Sequence, residues 1–356
     1  MNDLMKPENY SFTATAPSNI AFIKYWGKRD AELQWPANDS LSMTLSACKT
    51  ITTVKRIDGD RDVFHFAGVT VSSDVEPSHK VFRHLQFLRK ELNIARALEV
   101  ESRNLFPTGC GVASSASGFA ALTLATVAAL TGHHEWGQLS VLGLSRERLA
   151  HLARRGSGSA GRSMFGGFVH WAAGQSADAQ KIEQIAPASH WQLADIVVIL
   201  SDKEKHTSST NAHQAAWGSP LFPARLAGAP SRIEAIFSDI KEHNIESLGQ
   251  EIENDALEMH AVAMTGTPQV NYFLPETTKF IAWVRSERLA GNLPAWFTID
   301  AGPNIHLICE SRNVALITAK IKSTWPKSQL IIDKIGDGPT LKQGLLSESH
   351  SEVHYV

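Results

Sequence analysis

The sequence predicts an α+β protein of two lobes, and three observations carry that prediction. The chain has 356 residues, 43% of them hydrophobic and 20% charged, enough for two packed cores and ordinary for a globular protein. Strand-like runs dominate it up to Asn104, interrupted by one helix, and a long helix of small residues opens at Ser114. After the small polar run that follows Trp171, the apolar stretch from Trp191 to Leu200 begins a new set of elements. The lobe boundary is therefore set there, giving lobes of residues 1–190 and 191–356.

A formal net charge of −2 gives no reason to expect nucleic acid or an acidic membrane as partner. Cys48, Cys110 and Cys309 lie far apart without CxxC spacing, so neither a disulfide nor a zinc cluster is expected. The 15 histidines are scattered and no HExxH pattern occurs, so no metal held by protein ligands is expected. The start MNDLMKPENYS lacks the charged-then-apolar pattern of a signal peptide, and the apolar run Phe119 to Leu130 reads as too short to cross a bilayer. A soluble cytoplasmic protein is the expectation.

Taken in order, Thr13 to Lys28 reads as a short strand, a break at Pro17-Ser18-Asn19, and a second apolar strand. That strand ends in Lys24, Tyr25, Trp26, Gly27 and Lys28. Two lysines around an aromatic pair and a glycine can clamp an anion, and solvated lysines at a strand end would look the same. Leu41, Met43 and Leu45 alternate with hydroxyl residues, the period of a half-buried strand, and Cys48 to Phe66 continues as strand with a turn at Asp58-Gly59-Asp60. Val81, Leu85, Leu88 and Leu92 predict an amphipathic helix over His79 to Leu92, and Ala97 to Asn104 a strand. The small-residue helix runs from Ser114 to Leu130, with Gly132 as its C-cap. A short helix from Ser145 stops at Gly156, and GGFVHW is the next strand. In the second lobe the strand from Trp191 leads into a segment with Lys203, Lys205, Ser208, Ser209, Thr210 and His213, suited to an oxyanion or equally to an N-capped helix. Helices follow over Ser231 to His243, Ser247 to Met264 and Glu276 to Leu289. A strand through Phe297 and Ile299 then runs into Asp300, the turn Ala301 to Asn304, and a strand from Ile305. A helix over Val314 to Ile321, a strand over Leu330 to Ile335 and a polar tail complete the chain.

Two glycine-rich stretches also suggest anion chemistry. In FPTGCGVASSASG, Pro107, Gly109 and Gly111 break the chain before a helix whose first turn holds Ser114 and Ser115. Glycines let the backbone approach a ligand closely, and a helix N-terminus offers unpaired N–H groups, so the stretch can cradle phosphate; a serine-capped turn has the same residues. It is no Walker loop, since the GxxxxGK[ST] spacing is absent. In RRGSGSAGRS, Ser157, Gly158, Ser159, Ala160 and Gly161 precede Arg162, a fork suited to phosphate or carboxylate. Asp300 at a strand end beside a Gly-Pro turn suits a catalytic base, or simply a turn residue.

NIAFIKYWGK, FPTGCGVASSASG, RRGSGSAGRSMFGGFVHW, SSTNAH and IDAGPN, in this order, resemble the mevalonate diphosphate decarboxylases of the GHMP kinase superfamily, over Thr13 to about Ile335. The resemblance implies the two-lobed GHMP kinase fold, with a ribosomal protein S5 domain 2-like N-terminal lobe and a ferredoxin-like C-terminal lobe carrying the catalytic aspartate. It implies ATP-dependent decarboxylation of (R)-5-diphosphomevalonate to isopentenyl diphosphate, ADP, phosphate and CO2, with ATP and Mg2+ as cofactors and a homodimer as assembly. Carried over, Asp300 orients or deprotonates the C3 hydroxyl, Lys24 steadies charge, and Arg162 holds the carboxylate. Tyr25, Trp26, Gly27, Lys28, the Ser157 to Arg162 loop and Thr210 hold the substrate; Pro107, Gly109, Gly111, Ser114 and Ser115 hold ATP. Ala212-His213, Pro77 (with Lys80 nearby) and Asp39 depart from the family pattern, which leaves a monophosphate substrate open. A mevalonate 3-kinase and a non-catalytic ligand sensor are the more distant readings.

Overall fold

The computed structural model describes residues 10–72, 78–107, 112, 114–201, 209–345, 353 and 355–356, with residues 209–211 described by backbone alone. Its first sheet is built on two long antiparallel strands, Ser11–Ile23 and Ser40–Ile57. Ala97–Asn104 extends it on one side, followed by Val63–Phe66 and Val69–Thr70. Phe168–Ala172 pairs with the start of Ser40–Ile57 and carries Lys181–Ala186. Helices Ser114–Thr131 and Arg146–Gly156 and part of helix Ser78–Leu92 pack over this sheet in one apolar cluster.

The second sheet has the order Trp296–Thr298, Ile305–Glu310, Leu193–Ile199, Gln329–Lys334, all antiparallel. Helices Pro275–Leu289 and Val314–Thr324 cover one face, around Phe280, Phe297 and Ile317. Helices Phe222–Glu242 and Ile245–Thr265 lie on the other. There Ile236 and Ile252 join Val197 and Ile308 with Ile20, Phe22 and Leu41 of the first sheet in a single cluster. The two halves therefore share a dry core, and this fixes the cleft between them.

Several expectations change. The break at Pro17 is a register shift between Pro17 and Asn19 within one continuous strand, where an irregularity absorbs the missing proline donor. The strand expected to be half-buried has both faces covered: Leu41, Met43 and Leu45 are buried, and so are Ser40, Ser42 and Thr44. The helix expected from Ser231 begins at Phe222 and runs through Pro230, because Phe222, Ala229, Ile233 and Ile236 bury one continuous face, which outweighs the proline. The tail adds a strand, Thr340–Gln343, antiparallel to Ser11–Ile23. By length and composition helix Ser114–Thr131 is long enough to cross a membrane, contrary to the expectation; 78% of it is buried inside the fold, as a core helix is.

Candidate functional site

A cleft of about 340 Å³ opens between the lobes. Lys24, the first residue after strand Ser11–Ile23, points into it and is held at both ends of its backbone. Its N–H donates to Asp255 Oδ2 at 2.8 Å, and its carbonyl accepts from Asn38 Nδ2 at 3.1 Å and Arg225 Nη2 at 3.3 Å. Asp255 and Arg225 are themselves paired at 2.9 Å, both almost fully buried. Lys24 is thus aimed by a buried ionic frame, and its Nζ lies 2.6 Å from Asp300 Oδ1. Asp300 reaches the cleft from a turn in which Gly302 N–H donates to the Asp300 carbonyl at 2.7 Å. Asn304 ties that turn to the neighbouring strand end, its Oδ1 accepting from the N–H groups of Leu200 and Ser201.

Arg162 is 2% exposed, on a 3-10 turn, Gly158–Met164, that follows helix Arg146–Gly156. It donates to Ser40 Oγ at 2.6 Å, Ser42 Oγ at 3.0 Å and Asn19 Oδ1 at 3.2 Å. Asn19 Nδ2 in turn donates to Ser163 Oγ at 2.8 Å. Burial pushes the guanidinium down to about 10, with Asp300 and Tyr25 pulling the other way. A cation held among neutral acceptors in a low-dielectric site awaits an anion.

Tyr25, Trp26 and Gly27 wrap around His213, with ring centroids 4.4 Å from Tyr25 and 4.9 Å from Trp26. Gly27 has φ +79°, and its N–H donates to His213 Nδ1 at 3.0 Å. Burial, then the charge of Lys28, holds the His213 imidazole neutral, which frees that lone pair to accept. Burial and the like charge of Lys80 push Lys28 down to about 8, so two ammonium groups face one space. Tyr25 donates to Gln34 Oε1 at 3.2 Å, and burial raises its phenol, keeping it neutral. A Cβ on Gly158 would meet the Tyr25 ring at 2.4 Å, so the chain passes here only as glycine.

Ser114 and Ser115 stand exposed in the first turn of helix Ser114–Thr131 and line the cleft with Ser157 and Ser159. Ser157 Oγ donates to Ser115 Oγ at 3.3 Å, joining the two hydroxyl stretches. Ala160 and Gly161 do not line the cleft: Ala160 is buried, and a Cβ on Gly161 would meet Ile182 and the Ala150 carbonyl. Gly27 and Pro107 are also outside the lining. Gly109 and Gly111 lie outside the described residues, as do Lys203, Lys205 and Ser208; Thr210 lies in helix Ser209–Ala215, its side chain undescribed. Sequence reasoning missed Asn19, Ser40 and Ser42 around Arg162, and the Asp255–Arg225 pair behind Lys24. The available signal was hydroxyls at alternate positions of an apolar strand, which look the same whether they face water or a buried arginine.

Among the described lining residues, Lys24, Lys28, Lys80, Arg83 and Arg162 face one carboxylate, Asp300. Such a cleft suits a ligand with several negative charges, and the exposed helix N-terminus with its hydroxyls fits phosphate oxygens. Of the departures, Asp39 turns to His170 Nε2 at 3.0 Å and to the Ala173 N–H at 2.8 Å. Burial opposes its ionisation, but those two hydrogen bonds outweigh it and hold the carboxyl low. Pro77 lies outside the described residues.

The model of the diphosphomevalonate decarboxylase-like N-terminal domain matches residues 16–182, and that of the mevalonate 5-diphosphate decarboxylase C-terminal domain matches 195–353. The chain is 35% identical to a diphosphomevalonate decarboxylase of Saccharomyces cerevisiae, over 88% of this chain and 81% of that one. With the Rattus norvegicus diphosphomevalonate decarboxylase it shares 34% identity over 90% and 82%. A solved structure of the mevalonate diphosphate decarboxylase from Enterococcus faecalis superposes with TM-score 0.84 at 35% identity, over 94% of this chain and 99% of that one. Another, in complex with MVAPP, AMPPCP and magnesium, gives TM-score 0.85 at 36% identity over the same shares.

Proposed function

The chain belongs to the diphosphomevalonate decarboxylase family, and on that premise we propose that it carries out the ATP-dependent decarboxylation of diphosphomevalonate to isopentenyl diphosphate, ADP, phosphate and CO2. The observation that carries this reading is the cleft itself: among its described lining residues, five cations surround one carboxylate, with Lys24 and Asp300 2.6 Å apart. The solved relative binding MVAPP, AMPPCP and magnesium supports the same ligands here.

In this reading Asp300 accepts a hydrogen bond from the C3 hydroxyl and takes its proton as the oxygen attacks the γ-phosphorus of ATP and the bond from that phosphorus to ADP breaks, releasing ADP. Lys24, beside it, pairs with Asp300 and stabilises the phosphate oxygens as charge builds. The C3–O bond then breaks with phosphate as leaving group. The C–C bond to the carboxylate supplies the electron pair for the new double bond, and CO2 departs. Arg162 holds that carboxylate through its buried fork. Lys28, Lys80 and Arg83 hold the diphosphate, with Tyr25 and Trp26 as the apolar wall. Ser114 and Ser115 hold the ATP phosphates, together with Pro107, Gly109 and Gly111 as the family resemblance implies. Magnesium, carried chiefly on ATP oxygens, would neutralise phosphate charge during transfer. A homodimer, a cytoplasmic location and lobes of 1–190 and 191–356 complete the proposal.

The deciding assay offers diphosphomevalonate and phosphomevalonate separately with ATP and Mg2+, following ADP and CO2 together. Equal ADP and CO2 from the diphosphate is expected. The same from the monophosphate alone would reassign the substrate, ADP without CO2 would leave a kinase, and neither product from any ester would overturn the enzyme reading.

A further inference from the structure

A second cavity, of about 230 Å³, lies between helices Ser78–Leu92 and Arg146–Gly156 and the turn at Ala177-Asp178, and shares no lining residue with the cleft. Arg148, Arg154 and Arg155 all line it. Arg154 is 7% exposed. Its Nε donates to His151 Nδ1 at 3.1 Å and its Nη1 to the carbonyls of Leu33 and Gln34, while Nη2 has no hydrogen-bond partner among the described residues. The Arg155 guanidinium lies 4.9 Å from the Phe87 ring centroid and makes neither hydrogen bond nor ion pair among the described residues. Arg148 pairs with Glu91 at 2.5 Å, and the other acid of the lining, Asp178, is exposed.

Arginines in the last turn of a helix complement its dipole, and that would explain exposed side chains here. It does not explain a largely buried guanidinium whose one open N–H edge is left to solvent, beside a second guanidinium that has no anion. Burial, then the charge of Arg155, pushes Arg154 down to about 10; burial, then Arg154, pushes His151 down to about 4, so that imidazole is neutral and adds no charge. With Glu91 committed to Arg148, Arg154 and Arg155 outnumber the remaining carboxylate. Holding like charges together costs free energy that a bound anion would return.

We propose that this cavity is a second anion site, taking a phosphate or diphosphate group between Arg148, Arg154 and Arg155. An oxyanion supplies the acceptor that Arg154 Nη2 lacks and the counter-charge that Arg155 lacks, in the fork geometry guanidinium groups favour. The site also touches the cleft indirectly. Arg154 Nη1 grips the Leu33-Gln34 turn, and Gln34 Oε1 accepts the Tyr25 hydroxyl at 3.2 Å. An anion there firms the support of Tyr25, so its occupancy should register in KM.

The test is calorimetric titration of inorganic diphosphate into the protein, alone and with diphosphomevalonate and a non-hydrolysable ATP analogue together filling the cleft. One further diphosphate should bind with the cleft filled, and binding at this site should weaken at least tenfold in Arg148→Gln/Arg155→Gln and fall with added salt. No binding beyond the cleft, or unchanged affinity in the double variant, overturns the proposal. If the double variant fails to fold, Arg155→Gln alone serves, since that side chain makes no hydrogen bond to lose. Comparing the variants reads the site whether or not diphosphomevalonate occupies the cleft, so a wrong substrate assignment shows separately, as absent heat on preloading. A parallel titration with isopentenyl diphosphate, with the cleft filled in the same way, distinguishes sources: tighter binding assigns the site to an organic ester, equal or weaker binding to the diphosphate group alone.

Discussion

Replacing Arg162 by glutamine should damage catalysis severely while leaving the folded protein as stable as before, or more so. The side chain is 2% exposed, and its hydrogen-bond partners, Ser40, Ser42 and Asn19, are neutral. Its pKa falls from 12.5 to about 10. At 1.36 kcal/mol per tenfold change, burial therefore disfavours the charged form by about 3 kcal/mol. A substrate carboxylate arriving at the fork removes that penalty and adds charge-assisted hydrogen bonds of about 1.5–3 kcal/mol. Arg162→Gln should thus lose about 4.5–6 kcal/mol in kcat/KM, roughly 10³- to 10⁴-fold. Its thermal midpoint should hold or rise, since a costly buried charge is gone. Steady-state ADP and CO2 release with calorimetric Tm measures both. A Tm drop of more than about 4 °C in step with lost activity would refute the reasoning and make Arg162 a structural residue.

Asp300→Asn should lower kcat by roughly 10²- to 10⁴-fold, the usual worth of a general base, with ATP binding by calorimetry little changed; near-normal single-turnover rates would remove Asp300 from the chemistry. Because Lys28 sits at about 8, its charge is lost as pH rises, so KM for the diphosphate ester should climb between about pH 7 and 9 while kcat holds. Lys28→Arg should flatten that climb. The sign for stability is opposite: the native state binds fewer protons than the unfolded chain between about pH 8 and 10.5, so this group makes stability rise across that window, as urea midpoints should show. Gly27→Ala should cost about 1–3 kcal/mol, because φ is +79° and the new Cβ would lie 2.3 Å from Phe222 Cζ. Gly68→Ala, with the same φ and open space, isolates the backbone part; equal losses in the two would show that Phe222 simply moves aside.

Most of the fold and half of the site could be read in the chain, because they rest on local rules. Ala97–Asn104 and helix Ser78–Leu92 follow from their apolar periods, the end of helix Arg146–Gly156 from its glycine, and the Asp300 turn from Gly-Pro. The anion character of the Lys24 to Lys28 stretch and of Ser157 to Arg162 was visible because glycine, hydroxyl and cation in sequence suit phosphate wherever they occur. What only the tertiary structure decided depends on partners far away in the chain. Ser40 and Ser42 looked solvent-facing until Arg162, more than a hundred residues on, was seen against them. Lys24 is aimed by Asp255, which reads as one more charge on an amphipathic helix. Pro230 reads as a helix boundary, and the packed face of helix Phe222–Glu242 overrides it. Local propensity costs about a kilocalorie per residue and can be read from neighbours in sequence, whereas burial of a charge is decided by whatever folds over it, and so by the whole chain at once.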